Sequence, residues 1–250
     1  MAAQLEANAT GVIYAIEPPA SFSIYPEFNL QLLQHYRSEE KKRVDAAQIA
    51  FEKAATHLAV PNEFHSGRGQ LDTAISDFTK RSRAADLVVL AQHETAELKN
   101  VGDVFLEAAL FQSGRPLIVV PKDHSSEFSL ARVLIAWDGS AHAARAVSAA
   151  SPLLEKAGEI VVLTVKEEDK STDFGSRELL KNLRLHNLNT ELSERGDTDI
   201  GGTIVEETEM FRASLVVMGG YGHSRFREFV MGGATRLMLR NMPAPVLMAH

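Results

Sequence analysis

The chain has 250 residues, 45% of them apolar, with a formal net charge of −7 and a pI near 5.7, which suits one large or two small globular domains and argues against a general nucleic-acid or membrane-surface binder. It has no cysteine, so disulfides, thiolate zinc sites and cysteine nucleophiles are excluded, as a reducing compartment would allow. No apolar run approaches the roughly 18–20 residues of a membrane span, and Met1–Glu6 lacks the basic start and apolar core of a secretory signal; the expectation is a soluble cytoplasmic protein.

Gln4 to Asn8 read as the end of a helix, and Thr10 to Ile16 as a strand stopped by Pro18-Pro19. Leu30 to Leu58 reads as a long helix, with Leu33, Tyr36, Val44, Ala47 and Phe51 at roughly helical spacing. A short strand over Glu63–Gly67 and a helix over Leu71–Arg83 follow. Leu87–Ala91 is a continuous apolar run, the pattern of a parallel strand covered on both faces. Val104–Gln112 is helical, Arg115-Pro116 breaks it, and Leu117–Val120 is a strand. The polar stretch Pro121–Ser129 is the expected domain boundary, giving domains 1–124 and 130–250.

The pattern then restarts. Val133–Trp137 is a strand ending in Asp138-Gly139-Ser140, and Ala141–Ala157 is an alanine-rich helix with Pro152 as a kink or break. Ile160–Val165 is a strand, Ser176–His186 a helix and Thr190–Glu194 a strand. Ile200–Phe211 is a helix with candidate N-caps at Asp197–Asp199. Leu215–Met218 is a buried strand that runs into Gly219-Gly220-Tyr221-Gly222. A second glycine pair, Gly232-Gly233, opens a helix from Ala234 to Asn241, and Val246–Ala249 is the last strand. Strand, permissive loop and helix N-terminus in that order are the ingredients of a phosphate cradle.

The two halves repeat. Ala7–Glu17 lies over Ala157–Glu167, Ala84–Leu90 over Phe211–Met218, and Arg115–Val120 over Ala244–Ala249. Each unit alternates strands with helices, so each is an α/β domain with a mostly parallel sheet. In this register Met1 lies over Ser151, and Arg132–Ala150 has no counterpart in the first half. The first domain is therefore expected to lack its first strand. Either the start lies inside a longer natural chain, or the first domain has rearranged or borrows a strand.

Gly219-x2-Gly222-x9-Gly232, after a buried strand and before a helix, together with the strand-end Asp138, resembles the pattern of the tandem universal stress protein family. The likeness covers nearly the whole chain. It implies two doubly wound α/β domains of adenine-nucleotide-hydrolase-like, Rossmann-like fold, each a parallel sheet of order 3-2-1-4-5 in which the first strand is central. Some members bind ATP at the C-terminal edge of that sheet. The last strands commonly pair antiparallel across a dyad, which here would join Leu117–Val120 to Val246–Ala249 as a pseudo-dimer within one chain. Dimers of the whole chain stay open.

The resemblance implies nucleotide contacts at Asp138, Val165, Gly219, Gly222, Gly232, Gly233, Ala234 and Thr235, with ATP in the C-terminal domain only and Mg²⁺ accompanying it. Asp138 would lie near the adenosine and Val165 would offer its backbone to adenine. Each has a structural alternative: Asp138 as N-cap of the next helix in competition with Ser140, Val165 as a core residue, Gly219 and Gly222 as turn glycines. The family's Ser or Thr after the last glycine is Gly233 here, so one phosphate-facing hydroxyl is lost; Thr235 either replaces it or caps the helix. His223, Ser224, Arg225 and Arg227 are weaker candidates, with Phe226, Phe229 and Val230 as anchors of that loop. In the first half Gln92-His93-Glu94 and an isolated Gly102 stand where the glycines would be, and Glu94 would repel phosphate, so no ATP is expected there. A metal cluster of His93, Glu94 and Glu97 is less expected than a solvated loop, and neither a His-Glu-x-x-His nor a Gly-x-Ser-x-Gly motif occurs. Three readings follow: a nucleotide-binding regulatory protein of the stress response, an interaction module of the same fold without nucleotide, and a slow ATPase.

Overall fold

The structure is a computed structural model that describes residues 1–17, 26–93, 101–124, 127–166, 175–220 and 233–250, with the side chains of 26–30 outside the description. Two compact units divide it, Met1–Arg81 and Ser82–His250. This division falls inside the first repeat and not in the polar stretch 121–129. Its cause is strand pairing, since the last two strands of the first repeat join the sheet of the second.

In the first unit a short 3-10 turn, Ala3–Leu5, precedes β1 (Ala9–Ile16), α1 (Pro26–His57), β2 (Asn62–Gly69) and the start of α2 (Leu71–Arg83). β1 and β2 form a separate two-stranded parallel sheet. Two strands offer little surface to cover a long helix. Accordingly Ala55 is the one buried residue among the described side chains of α1, while Leu32, Tyr36 and Ile49 are exposed. The small core is shaped by glycine. A Cβ on Gly11 would lie 2.7 Å from the Phe64 ring and 3.1 Å from that of Phe51, and those rings pack 5.7 Å apart. Tyr14 joins β1 to α2 by donating to Asp77 Oδ2 at 2.8 Å, and Arg81 donates to the same oxygen at 2.8 Å.

The second unit holds β3 (Val88–Ala91), α3 (Val101–Gln112), β4 (Leu117–Val120), β5 (Arg132–Ala136), α4 (Ala141–Leu154), β6 (Glu159–Lys166), α5 (Ser176–Leu185), β7 (Thr190–Gly196), α6 (Ile200–Met210), β8 (Leu215–Gly219), α7 (Gly233–Arg240) and β9 (Val246–Ala249). Its seven strands lie in the order β3-β4-β9-β8-β5-β6-β7. The second repeat thus reads 3-2-1-4-5 with β5 central and all neighbours parallel. Val133, Leu134, Ile135, Leu215, Val216 and Val217 are all 0% exposed, as a strand covered on both faces requires. α4 lies on one face, against Gly219. α6 lies on the other, where its Glu207 accepts from Arg195 of β7 at 2.6 Å. α4 runs through Pro152 to Leu154, so the proline sits in the last turn and does not break the helix early.

β4 pairs antiparallel with β9 through Leu117↔Met248, Ile118↔Leu247 and Val119↔Val246. All six residues are at most 1% exposed. Side chains strengthen the junction from both sides. Gln92, after β3, donates its amide to the C-terminal carbonyls of α7 at Leu239 (2.8 Å) and Arg240 (3.1 Å). The ring of His250, after β9, meets Phe111 of α3 edge-on at 4.8 Å. The first repeat contributes β1–β2 to one sheet and β3–β4 to another, with no strand matching β5 among the described residues. That is the consequence expected of a missing central strand.

Candidate functional site

In the order β7-β6-β5-β8-β9 the chain leaves β5 to one side for β6 and β7, then crosses to β8 on the other. The C-terminal ends of β5 and β8 therefore flank a topological switch point, where open α/β sheets form ligand crevices. Asp138 follows β5, and Gly219 ends β8. Val165 lies near the end of β6, in register with Arg195 of β7. Three candidate residues thus occupy one edge of one sheet.

Asp138 is half-buried, and its Oδ1 accepts from Ser140 N at 2.9 Å. Ser140 in turn caps α4, its Oγ accepting from Ala143 N at 3.1 Å. The competition for the N-cap is settled for Ser140, while Asp138 tightens the loop before it. On α6 the cap is Asp199, which accepts from Gly202 N at 3.0 Å, and Asp197 supports it by accepting from Thr203 Oγ1 at 2.9 Å.

The described glycines differ in their reasons. A Cβ on Gly219 would stand 2.7 Å from Ala143 N and 2.9 Å from the His142 carbonyl carbon, so this glycine is required by the close approach of α4. Among the described residues a Cβ on Gly233 would meet nothing within 4 Å, so they give no packing reason for a glycine at the first turn of α7, a helix start of the kind that favours anions. Ala234 is set against α6, its Cα 3.0 Å from where a Gly201 Cβ would be. Thr235 is 4% exposed and belongs to the packed side of α7. Gly222, Gly232, His223, Ser224, Arg225, Phe226, Arg227, Phe229 and Val230 lie outside the described residues, as do Glu94 and Glu97.

Residue types and spacing gave no sign of two further groups at this edge. His142, in the first turn of α4, stacks on His250 with ring centroids 4.3 Å apart and planes 22° apart. His250 Nδ1 lies 3.2 Å from the Gly220 carbonyl. Burial lowers the pKa of His142, the neighbouring His250 and Arg145 lower it further, and Asp138 opposes them. His142 Nδ1 is buried without a hydrogen-bond partner among the described residues. His93 instead packs its ring over Gly102. Among the described residues no group of three or more His, Asp or Glu could hold a metal ion, and no helix is long and apolar enough to cross a membrane.

Residues 130–250 match the profile of the Universal stress protein family. The universal stress protein Slr1230 of Synechocystis sp. is 29% identical over 138 residues, which are 53% of this chain and 46% of that protein, so the chain spans about half the length of this relative. A universal stress protein from Archaeoglobus fulgidus DSM 4304 has a similar structure, with a TM-score of 0.68 at 18% identity over 95% of this chain and 85% of that one. A putative universal stress protein from Pseudomonas aeruginosa UCBPP-PA14 gives 0.57 at 14% identity over 98% and 94%. Sheet order and profile agree for residues 130–250, which form a domain that matches the universal stress protein family.

Proposed function

We propose that the second repeat, 130–250, binds ATP or a related adenine nucleotide in the crevice between β5 and β8, and that the chain uses this binding as a regulatory signal in a stress response. The observation that carries the reading is a strand-end carboxylate, Asp138, on a sheet whose switch point lies between β5 and β8, together with the first turn of α7, where no described residue would meet a Cβ on Gly233. In this reading the adenosine lies by Asp138 and Val165. The phosphates lie at Gly219, Gly222, Gly232 and Gly233, where the helix dipole adds roughly a kcal/mol. Mg²⁺ would travel with the phosphates. The first repeat, 1–124, serves as a structural half, with Gln92 committed to α7.

An interaction module that holds no nucleotide is favoured by two observations. Gly233 stands where the family pattern has a hydroxyl, and Thr235 is too buried to replace it. Denaturing the purified protein and identifying released nucleotide by chromatography separates the two readings. Nucleotide carried by the parent and lost in Gly233→Val supports binding in the crevice. Nucleotide carried equally by both would place it elsewhere, and none in either would favour the module.

A further inference from the structure

Helix α5 carries a row of cations that its own packing does not use. Ser176, Leu180 and Leu183 recur at helical spacing and are its buried residues. The residue after each of them is basic: Arg177, Lys181 and Arg184. The shared spacing puts these three on one flank of the helix, about 6 Å and then about 4.5 Å apart along its axis. All three are exposed, and no ion pair of theirs occurs among the described residues. Arg184 Nη2 donates to the Thr190 carbonyl of β7 at 3.0 Å, which holds the guanidinium beside that strand.

The flank opens onto a cleft of about 500 Å³ lined by Arg177, Leu180, Lys181, Arg184, Leu185 and Leu192. Its apolar part joins Leu180 and Leu185 of α5 to Leu192 of β7. Leu185, at 73%, is the most exposed of the large apolar side chains described. Two of these residues cost the fold stability where they stand. A cation in the first turn, such as Arg177, is opposed by the helix dipole. An aliphatic side chain left in water, such as Leu185, forgoes its burial. Acids on β7 do not neutralise the row. Glu194, on the face of Leu192, pairs with Lys166. Glu191 alternates onto the other face, with Ser193 and Arg195, which meet Glu207 of α6. The cleft is a local basic surface on a chain of net charge −7.

We propose that this cleft docks an acidic segment of a partner protein, with aliphatic side chains seated among Leu180, Leu185 and Leu192 and carboxylates on Arg177 and Lys181. The cations set the sign of the partner and its approach, and the leucines set the anchor. In an extended segment, residues two apart project to the same side about 6.6 Å apart. That repeat is close to the rise of about 6 Å from Arg177 to Lys181, so two acids separated by one aliphatic residue suit the row. A flat lipid surface does not reach the floor of a cleft, and a phosphate backbone offers the leucines nothing. β7 lies two strands from β5, so the cleft is separate from the β5–β8 crevice.

The test uses the full chain and a fluorescein-labelled peptide, Ser-Glu-Leu-Glu-Leu-Ser, with Ser-Gln-Leu-Gln-Leu-Ser and Ser-Glu-Ser-Glu-Ser-Ser as controls. Fluorescence anisotropy reads binding. The expected result is saturable binding of the first peptide alone, weakened as salt rises from about 0.05 M to about 0.5 M and screens the ion pairs. Arg177→Glu combined with Lys181→Glu should weaken it by about tenfold or more, since two attractive pairs become repulsive. Leu185→Ser should weaken binding and leave its salt dependence unchanged. All three side chains are exposed, and urea unfolding followed at Trp137 checks that the fold is kept. Equal binding of the glutamine peptide, unchanged binding in the charge-reversed variant, or no saturation at millimolar peptide would overturn the proposal. So would tighter binding of a single-stranded oligonucleotide or of phosphatidylserine vesicles that the charge-reversed variant abolishes, which would assign the row to phosphate. A dimer in sedimentation that Leu185→Ser dissolves would also overturn it, giving the cleft to a second copy.

Discussion

Gly219 and Gly233 belong to one sequence motif, yet the structure separates their roles, and alanine at each should expose the difference. At Gly219 the new methyl would lie 2.7 Å from Ala143 N, and ordinary contact begins at 3.4 Å, so something must move by 3.4 − 2.7 = 0.7 Å. The opposing atoms are backbone in the first turn of α4, held by the Ser140 cap and unable to swing aside like a side chain. Overpacking of this kind costs about 1–3 kcal/mol. With a urea slope of about 1–3 kcal/mol/M, Gly219→Ala should lose roughly 1 M in midpoint. At Gly233 no atom of the described residues would lie within 4 Å of the new Cβ, and neither glycine is among those with positive φ. Gly233→Ala should therefore be neutral, or stabilising by up to about 0.5–1 kcal/mol through the lower entropy of the unfolded chain. Trp137, the single tryptophan, follows β5 in the same unit and reports its unfolding. Equal midpoints for the two variants, or an unshifted Gly219→Ala, would refute the assignment of Gly219 to packing and of Gly233 to the open face.

Other outcomes follow from the same geometry. Gln92→Ala removes two hydrogen bonds to the end of α7 and should lower the stability of the second unit by about 1 kcal/mol in urea unfolding. The pKa of His142 is lowered in the folded state, so its contribution is fully present above its ordinary value of 6.5 and is lost as pH falls through the lowered value. Unfolding midpoints taken from about pH 8 to about pH 5 should fall in the parent and fall less in His142→Phe. In the first unit, hydrogen bonds from Arg81 and then Tyr14 hold Asp77 below the ordinary aspartate range. That contribution is present above the ordinary value and disappears as pH falls below about 4. Tyr14→Phe should cost about 0.5–1.5 kcal/mol and flatten this acid limb in circular dichroism melts.

Much of the second repeat could be read directly from its residues. Leu215–Met218 is an uninterrupted apolar run because β8 is covered on both faces, and the repeat register placed β4 and β9 as matching last strands before their antiparallel pairing was seen. The missing neighbour of β1 and β3 was legible as a gap in that register. What was not legible depends on long-range packing. Leu33, Tyr36, Val44, Ala47 and Phe51 mark an apolar face on α1, but a two-stranded sheet cannot cover it. The stack of His142 on His250 joins residues far apart in sequence with no shared motif. Gly219 and Gly233 look alike as letters, and only the nearby backbone of α4 tells them apart. The unit boundary at Arg81 likewise follows from which strands find partners and not from local composition.

Isothermal titration of the full chain with ATP and Mg²⁺, after bound nucleotide has been removed by unfolding and refolding, tests nucleotide binding in the β5–β8 crevice most directly. The account predicts saturable heat with one site per chain, abolished in Gly233→Val and weakened in Asp138→Ala. No heat at millimolar ATP, or the same isotherm in all three proteins, would contradict it.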